Sequence, residues 1–176
     1  MTTHPAHEAN FWPLHQESPI GEQLIAGRTF LDFQQENAEG VENAHVIENA
    51  WITKDDWQAL AQSAPQAVLK SNCGNVLAWI GDKNPDDFTT EVDASDASVL
   101  VRYAWDFIQI NEDIVLTLTE SDYQGNVSPA AHIDGYIQVG EGSKILPGVV
   151  IEGNIVIGKI SKIGPNCYLR GSTTIG

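Results

Sequence analysis

Three cations near one another late in the chain, Lys159, Lys162 and Arg170, are the side chains best suited to chemistry. A guanidinium offers a planar fork of donors that grips a phosphate or diphosphate through two charge-assisted hydrogen bonds. Lys159 and Lys162 bracket Ile160-Ser161 and add positive potential toward the same ligand. All three are therefore candidate substrate-binding residues for an anionic small molecule. A base for acyl or proton transfer needs a pKa near neutrality, which points to histidine, and His132 stands in the same region.

The element that must position these residues is a repeat. Aliphatic residues fall at six-residue intervals at Val127, Ile133, Val139, Ile145, Ile151, Ile157, Ile163, Leu169 and Ile175. That period matches neither a helix nor a lone strand; it is the signature of a parallel β-helix in which each hexapeptide builds one side of a coil. The positions two before each aliphatic are small or apolar, from Ala131 and Ile137 through Ser143 and Ser161 to Cys167 and Thr173. Glycine follows the aliphatic at Gly140, Gly158, Gly164 and Gly176, where the chain must turn.

The repeat also tests the candidates. His132 precedes the inward Ile133 and so points outward, but one full coil further on, three hexapeptides later, stands Val150, which cannot orient a base. No residue is therefore assigned as catalytic. A zinc site would need several histidines gathered together, and His4, His7, His15 and His45 lie outside the repeat, so no metal site is expected. Gly140-x-Gly142 is a turn of the repeat and not a phosphate cradle. Asp86-Asp87 and Glu112-Asp113 are sequence neighbours whose side chains diverge into solvent.

Charge is unevenly placed. The chain carries −15, yet Lys144, Lys159, Lys162 and Arg170 against Asp134, Glu141 and Glu152 leave residues 127–176 at +1, so 1–126 carry −16. An acidic front half repels phosphate backbones and anionic lipid, which argues against nucleic acid and membrane as partners. Cys73 and Cys167 make no disulfide framework, and no apolar stretch approaches the length of a membrane span. The start shows no secretory signal, so a cytoplasmic protein is expected.

Four regions follow. Residues 1–10 read as a disordered start, 11–96 as a small α+β region, 97–126 as a helix and linker, and 127–176 as the β-helix. Thr53 caps a short helix over Lys54-Asp55-Asp56-Trp57. Residues 66–70 and 76–80 flank a glycine-containing hairpin loop. A helix is expected over 99–118, and 119–126 reads as a joint.

Ile151-Glu152-Gly153-Asn154-Ile155-Val156-Ile157-Gly158, with Ile163 through Gly171, resembles the acetyltransferase half of the bifunctional N-acetylglucosamine-1-phosphate uridyltransferase/glucosamine-1-phosphate acetyltransferase family. Ala104-Trp105-Asp106-Phe107-Ile108-Gln109-Ile110-Asn111 is similar to the segment before the β-helix in its relatives. Trp12-Pro13-Leu14, Ser18-Pro19 and Leu24-Ile25-Ala26-Gly27-Arg28 are similar to the opening of a divergent branch. The resemblance implies a mainly β protein: a left-handed parallel β-helix behind a small α+β region, assembled as a homotrimer. It implies acetyl-CoA as cofactor and a nucleotide sugar or sugar phosphate as partner.

The family's Leu-Arg-Pro-Gly motif falls on Leu169-Arg170-Gly171, with Gly171 where proline is frequent, which assigns Arg170 to the phosphate or uridine side. The family's phosphate-binding lysine and histidine base would fall beyond Gly176, and its glycine-rich nucleotide loop has no counterpart. The expected function is thus acetyl transfer to an amino-sugar phosphate or nucleotide sugar, in a chain that holds the anchor but not the base. Alternatives are a non-catalytic module that binds a nucleotide sugar or mediates assembly, and a sugar-1-phosphate nucleotidyltransferase.

Overall fold

The computed structural model describes residues 1–4, 19–82 and 84–176. The chain forms two compact units, one of residues 1–23 and 29–106, the other of residues 24–28 and 107–176. In chain order the elements before the repeat are β1 (Thr2–His4), β2 (Leu24–Ile25), β3 (Arg28–Thr29), α1 (Phe30–Asn37), β4 (Ala44–Ile47), β5 (Ala50–Trp51), α2 (Lys54–Ser63), β6 (Ala67–Lys70), β7 (Val76–Ile80), β8 (Glu91–Asp93), β9 (Val99–Leu100) and α3 (Asp106–Leu116).

The first unit is built on a five-stranded sheet of order β1-β4-β7-β6-β8. Strands β6 and β7 form the hairpin expected from their flanking apolar runs, with Gly74 in the left-handed region (φ 77°) inside the loop. Helix α2 covers the sheet. Its Trp57 and Leu60 are 1% and 0% exposed and share one core with Val68, Leu69 and Leu77. Thr53 caps it as anticipated, its Oγ1 accepting from the Asp56 amide at 3.3 Å. Helix α1 starts with a reciprocal capping box: Thr29 Oγ1 accepts from the Asp32 amide and the Asp32 carboxylate accepts from the Thr29 amide, each at 3.1 Å.

Two expectations change here. Thr2–His4, read as part of an unstructured start, adds to the sheet as β1, parallel to β4 with His4 opposite Ile47. Residues 5–10 lie outside the described residues, as do His7, His15 and the Trp12-Pro13-Leu14 segment. The helix expected over 99–118 begins only at Asp106. Val99 and Leu100 instead pair antiparallel with Trp51 and Ala50, as suits β-branched and apolar residues with an open strand beside them. The Asp106 carboxylate then accepts from the Arg102 and Tyr103 amides at 2.7 and 2.9 Å and fixes the turn that separates strand from helix.

The second unit contains the repeat as β10 (Asp122–Tyr123), β11 (Asn126–Val127), β12 (His132–Asp134), β13 (Ile137–Val139), β14 (Lys144–Ile145), β15 (Val150–Glu152), β16 (Ile155–Ile157), β17 (Lys162–Ile163), β18 (Tyr168–Arg170) and β19 (Thr173–Ile175). They stack as three parallel sheets, β10-β13-β16-β19, β11-β14-β17 and β12-β15-β18, the sides of a solenoid of about three coils. Ile137, Ile145, Ile151, Ile155 and Ile157 point inward and are at most 2% exposed. Burying each such side chain is worth about 1.5–3 kcal/mol against leaving it in water. The buried Ser143 fits this core because its Oγ donates to the Gly158 carbonyl at 2.6 Å and accepts from the Ser161 amide at 2.8 Å.

Coils begin at Asp122, inside the expected joint. The six-residue pattern misses this first turn because Tyr123 pairs with Val139, a shorter step along the chain than the one from Asn126 to its partner Lys144. The first corner is therefore tighter than those that follow. It closes through Gly125, where a Cβ would sit 2.6 Å from the Ser143 carbonyl oxygen.

Later corners show how close the coils lie. A Cβ on Gly135 would fall 2.3 Å from the Gly153 oxygen of the next coil. Ile160 breaks the pattern: it stands at φ 58° where the coil before has Gly142, and it is 87% exposed. A β-branched residue in the left-handed region costs about 1–2 kcal/mol. Ile160→Gly should therefore raise the free energy of unfolding measured in denaturant, by roughly 1 kcal/mol or less after glycine's own entropy cost. A fall would show that Ile160 makes a stabilising contact.

Candidate functional site

The outer surface of the second unit holds the candidate residues, and the coil geometry decides which can cooperate. Lys162 opens β17 directly above Lys144, so one side of the solenoid carries a two-lysine column. Lys159 sits at the corner that leads into that side. Arg170 closes β18 on a different side, in register with Glu152 and, one coil below, Asp134. Adjacent strands lie about 4.8 Å apart, so Arg170 has an acidic residue beside it on the neighbouring strand. Tyr168 donates its hydroxyl to the same Glu152, and that bond raises the phenol pKa, since ionisation would place two anions together. A single chain thus brings Lys159 and Lys162 near one corner and leaves Arg170 apart from them. His132 is exposed on the Arg170 side, in register with Val150.

A cleft that sequence spacing did not reveal lies on the outside of the β10-β13-β16-β19 sheet. The β2-β3 hairpin, turning through Ala26 (φ 46°) and Gly27 (φ 80°), encloses a cavity of about 480 Å³ against that sheet. The outward residues of three successive coils, Gln138, Val156 and Thr174, form its floor, with Arg28 and Lys159 among the lining residues. Val156 points outward but is only 5% exposed, because the hairpin covers it: a Cβ on Gly27 would meet its methyl at 3.5 Å.

Two asparagines hold this arrangement. Asn111 Oδ1, on α3, accepts from the Ala26 amide at 3.0 Å and from Thr174 Oγ1 at 2.8 Å, so one side chain ties the hairpin to the last strand. Asn154 Oδ1 accepts from the Tyr136 amide at 3.0 Å, while its Nδ2 donates to the carbonyls of Val115 and Leu118 at 3.1 and 3.2 Å. The Val115 carbonyl also accepts from the Leu118 amide at 3.3 Å, so Asn154 grips the turn that ends α3. Both asparagines and Arg28 fall within the segments that carry the family resemblance, but none of them is assigned there as a site residue.

The first unit holds two further polar clusters. Asp56 is 7% exposed; burial would raise its carboxyl, but hydrogen bonds from Ser95, Ser98 and Thr53 outweigh that and hold it below the usual range. His45 stacks on Trp79 with ring centroids 5.1 Å apart, and its Nδ1 lies 3.0 Å from His4 Nε2. Burial and then the neighbouring His4 lower its pKa below 6.5, only partly offset by Asp82. Among the described residues no group of three or more His, Cys, Asp or Glu could hold a metal ion. No helix there is long and apolar enough to cross a membrane.

Residues 136–171 match the family model described as bacterial transferase hexapeptide (six repeats). No curated protein matches the chain.

Asn154→Ala strips the Leu118 carbonyl and the Tyr136 amide of their Asn154 partner, and should lower stability by about 1–3 kcal/mol in chemical unfolding. An unchanged midpoint would mean that water replaces these bonds. For His45 the folded pKa lies below the unfolded one, so the unfolded state binds more protons. Its contribution is complete above pH 6.5 and is lost as pH falls through the folded pKa. The melting temperature should drop between about pH 7 and about pH 5, and less so in His45→Gln. Equal drops in both proteins would assign the acid sensitivity elsewhere.

Proposed function

We propose that this protein belongs to sugar-nucleotide metabolism as an acyltransferase-type hexapeptide protein. Its solenoid would hold an amino-sugar phosphate or a nucleotide sugar such as one of N-acetylglucosamine, with acetyl-CoA as acyl donor. The observation that carries this reading is the bacterial transferase hexapeptide match over 136–171, on coils whose outward positions bear Lys159, Lys162 and Arg170. In acyl transfer the amine attacks the thioester carbonyl, a base takes its proton and the thiolate leaves. In this reading Arg170 anchors the phosphate side and the lysines add positive potential. Arg170 stands on one side of the coil and Lys162 on another, so the phosphate subsite is completed between neighbouring copies in a cytoplasmic homotrimer.

A second reading is a non-catalytic module that binds the nucleotide sugar or mediates assembly. It is favoured by His132, which has Val150 rather than a carboxylate in register with it. Nucleotidyl transfer is the weakest alternative, because the glycine-rich loop it would use has no counterpart in the sequence. Arg170→Ala should weaken binding of a uridine-diphosphate sugar by about 1.5–3 kcal/mol in calorimetry, the scale of a hydrogen bond to a charged group. Unchanged affinity would remove Arg170 from the site. Binding without acetyl transfer from acetyl-CoA would favour the second reading.

A further inference from the structure

We propose that His4 and His45 form a proton-operated latch: neutral, they hold strand β1 on the edge of the five-stranded sheet; charged, they release it and uncover Trp79 and the edge of β4.

The latch is built on one face of three neighbouring strands. β1 lies parallel to β4 with Thr2 opposite His45 and His4 opposite Ile47, and β4 lies antiparallel to β7 with His45 opposite Trp79. Residues two apart along a strand share a face, so His4, His45 and Trp79 gather on one side of the sheet. Their rings touch: the centroids of His4 and Trp79 are 4.4 Å apart, and His45 lies flat on the indole at 5.1 Å. Trp79 is 5% exposed against these two half-buried imidazoles. The 3.0 Å contact between His4 Nε2 and His45 Nδ1 ties β1 to the sheet through side chains. The backbone contribution is short, three paired residues and the Glu48 amide donating to the His4 carbonyl at 2.7 Å.

The hydrogen bond needs one ring to donate and the other to accept. With both imidazoles protonated neither nitrogen accepts, and two positive charges meet at this contact. Burial and then His4 lower the pKa of His45 while β1 is in place, and both causes weaken once the strand leaves. The released state therefore binds the proton more tightly, so acid favours release. The other charged groups acting on His45 are Asp82, which follows β7 and favours the charged ring, and the Met1 amino group, which opposes it. Glu22 and Glu48 line a cavity beside His4. Because β1 is an edge strand, it can leave without breaking the pairing of any other two strands. The bared edge of β4 would then present unpaired backbone groups, a template for another strand.

This device does not depend on the transferase reading. The test is an acid titration of the full chain from about pH 8 to about pH 5, followed by amide and indole resonances. The amides of Thr3, His4 and Glu48 and the Trp79 indole should lose their docked positions together, with a midpoint below pH 6.5, while Leu69 and Ala78 in the central hairpin keep theirs. His45→Gln, which cannot take up the proton, and His4→Gln, which removes the neighbouring charge, should each keep β1 docked to the end of the titration. A variant with an intact hairpin whose β1 is free already at neutral pH also supports the latch, since the strand then depends on the imidazole pair. Retention of β1 in the wild type throughout, simultaneous loss of the central hairpin, or release at the wild-type midpoint in either variant would overturn the proposal.

Discussion

The stacking of one coil on the next is the constraint on which the rest of the second unit depends. Beyond the first corner, each strand of the solenoid meets its counterpart one coil later, side chain over side chain, and the same hydrogen bonds repeat along three sheets. Nothing wider than glycine fits at Gly135, and the serine in the core is tolerated because its hydroxyl completes the ladder between Gly158 and Ser161. A stack of this kind fixes the outward positions as firmly as the inward ones. Columns such as Lys144–Lys162 and Glu152–Arg170 are therefore consequences of register and not of local preference.

Register also explains why the sequence reveals some features and hides others. The regularly spaced aliphatics mark the inward position of each side, so a parallel β-helix could be read directly from spacing. The first coil escaped because its corner is short, which breaks the period while leaving the strands paired. The strand at Val99–Leu100 was mistaken for the start of a helix because an apolar run reads alike in both; its partner at Ala50–Trp51 lies far off in sequence. The cleft was invisible for a similar reason. The hairpin at 24–28 and the outward residues of the coils it covers come from distant parts of the chain, and no periodicity links them.

The candidate cations show what a pattern of residue types can and cannot convey. Arg170, Lys159 and Lys162 are near in sequence, yet each hexapeptide turns the chain onto a new side of the coil and sends them to different faces. Arg170 also gains an acidic neighbour from the coil below, which the linear sequence does not advertise. Lys159, by contrast, lines the same cleft as Arg28. The physical inventory is a rigid apolar stack and a preformed groove. Its few cations stand out against a chain that is otherwise strongly acidic.

The central claim is that the solenoid presents its outward cations to the phosphate of a nucleotide sugar. Equilibrium dialysis of the protein against uridine-diphosphate N-acetylglucosamine, repeated over a series of salt concentrations, tests it most directly. The account predicts saturable binding that weakens steadily as salt rises, because charge on an exposed surface is screened. Absence of saturable binding at low salt, or binding indifferent to salt, would contradict it.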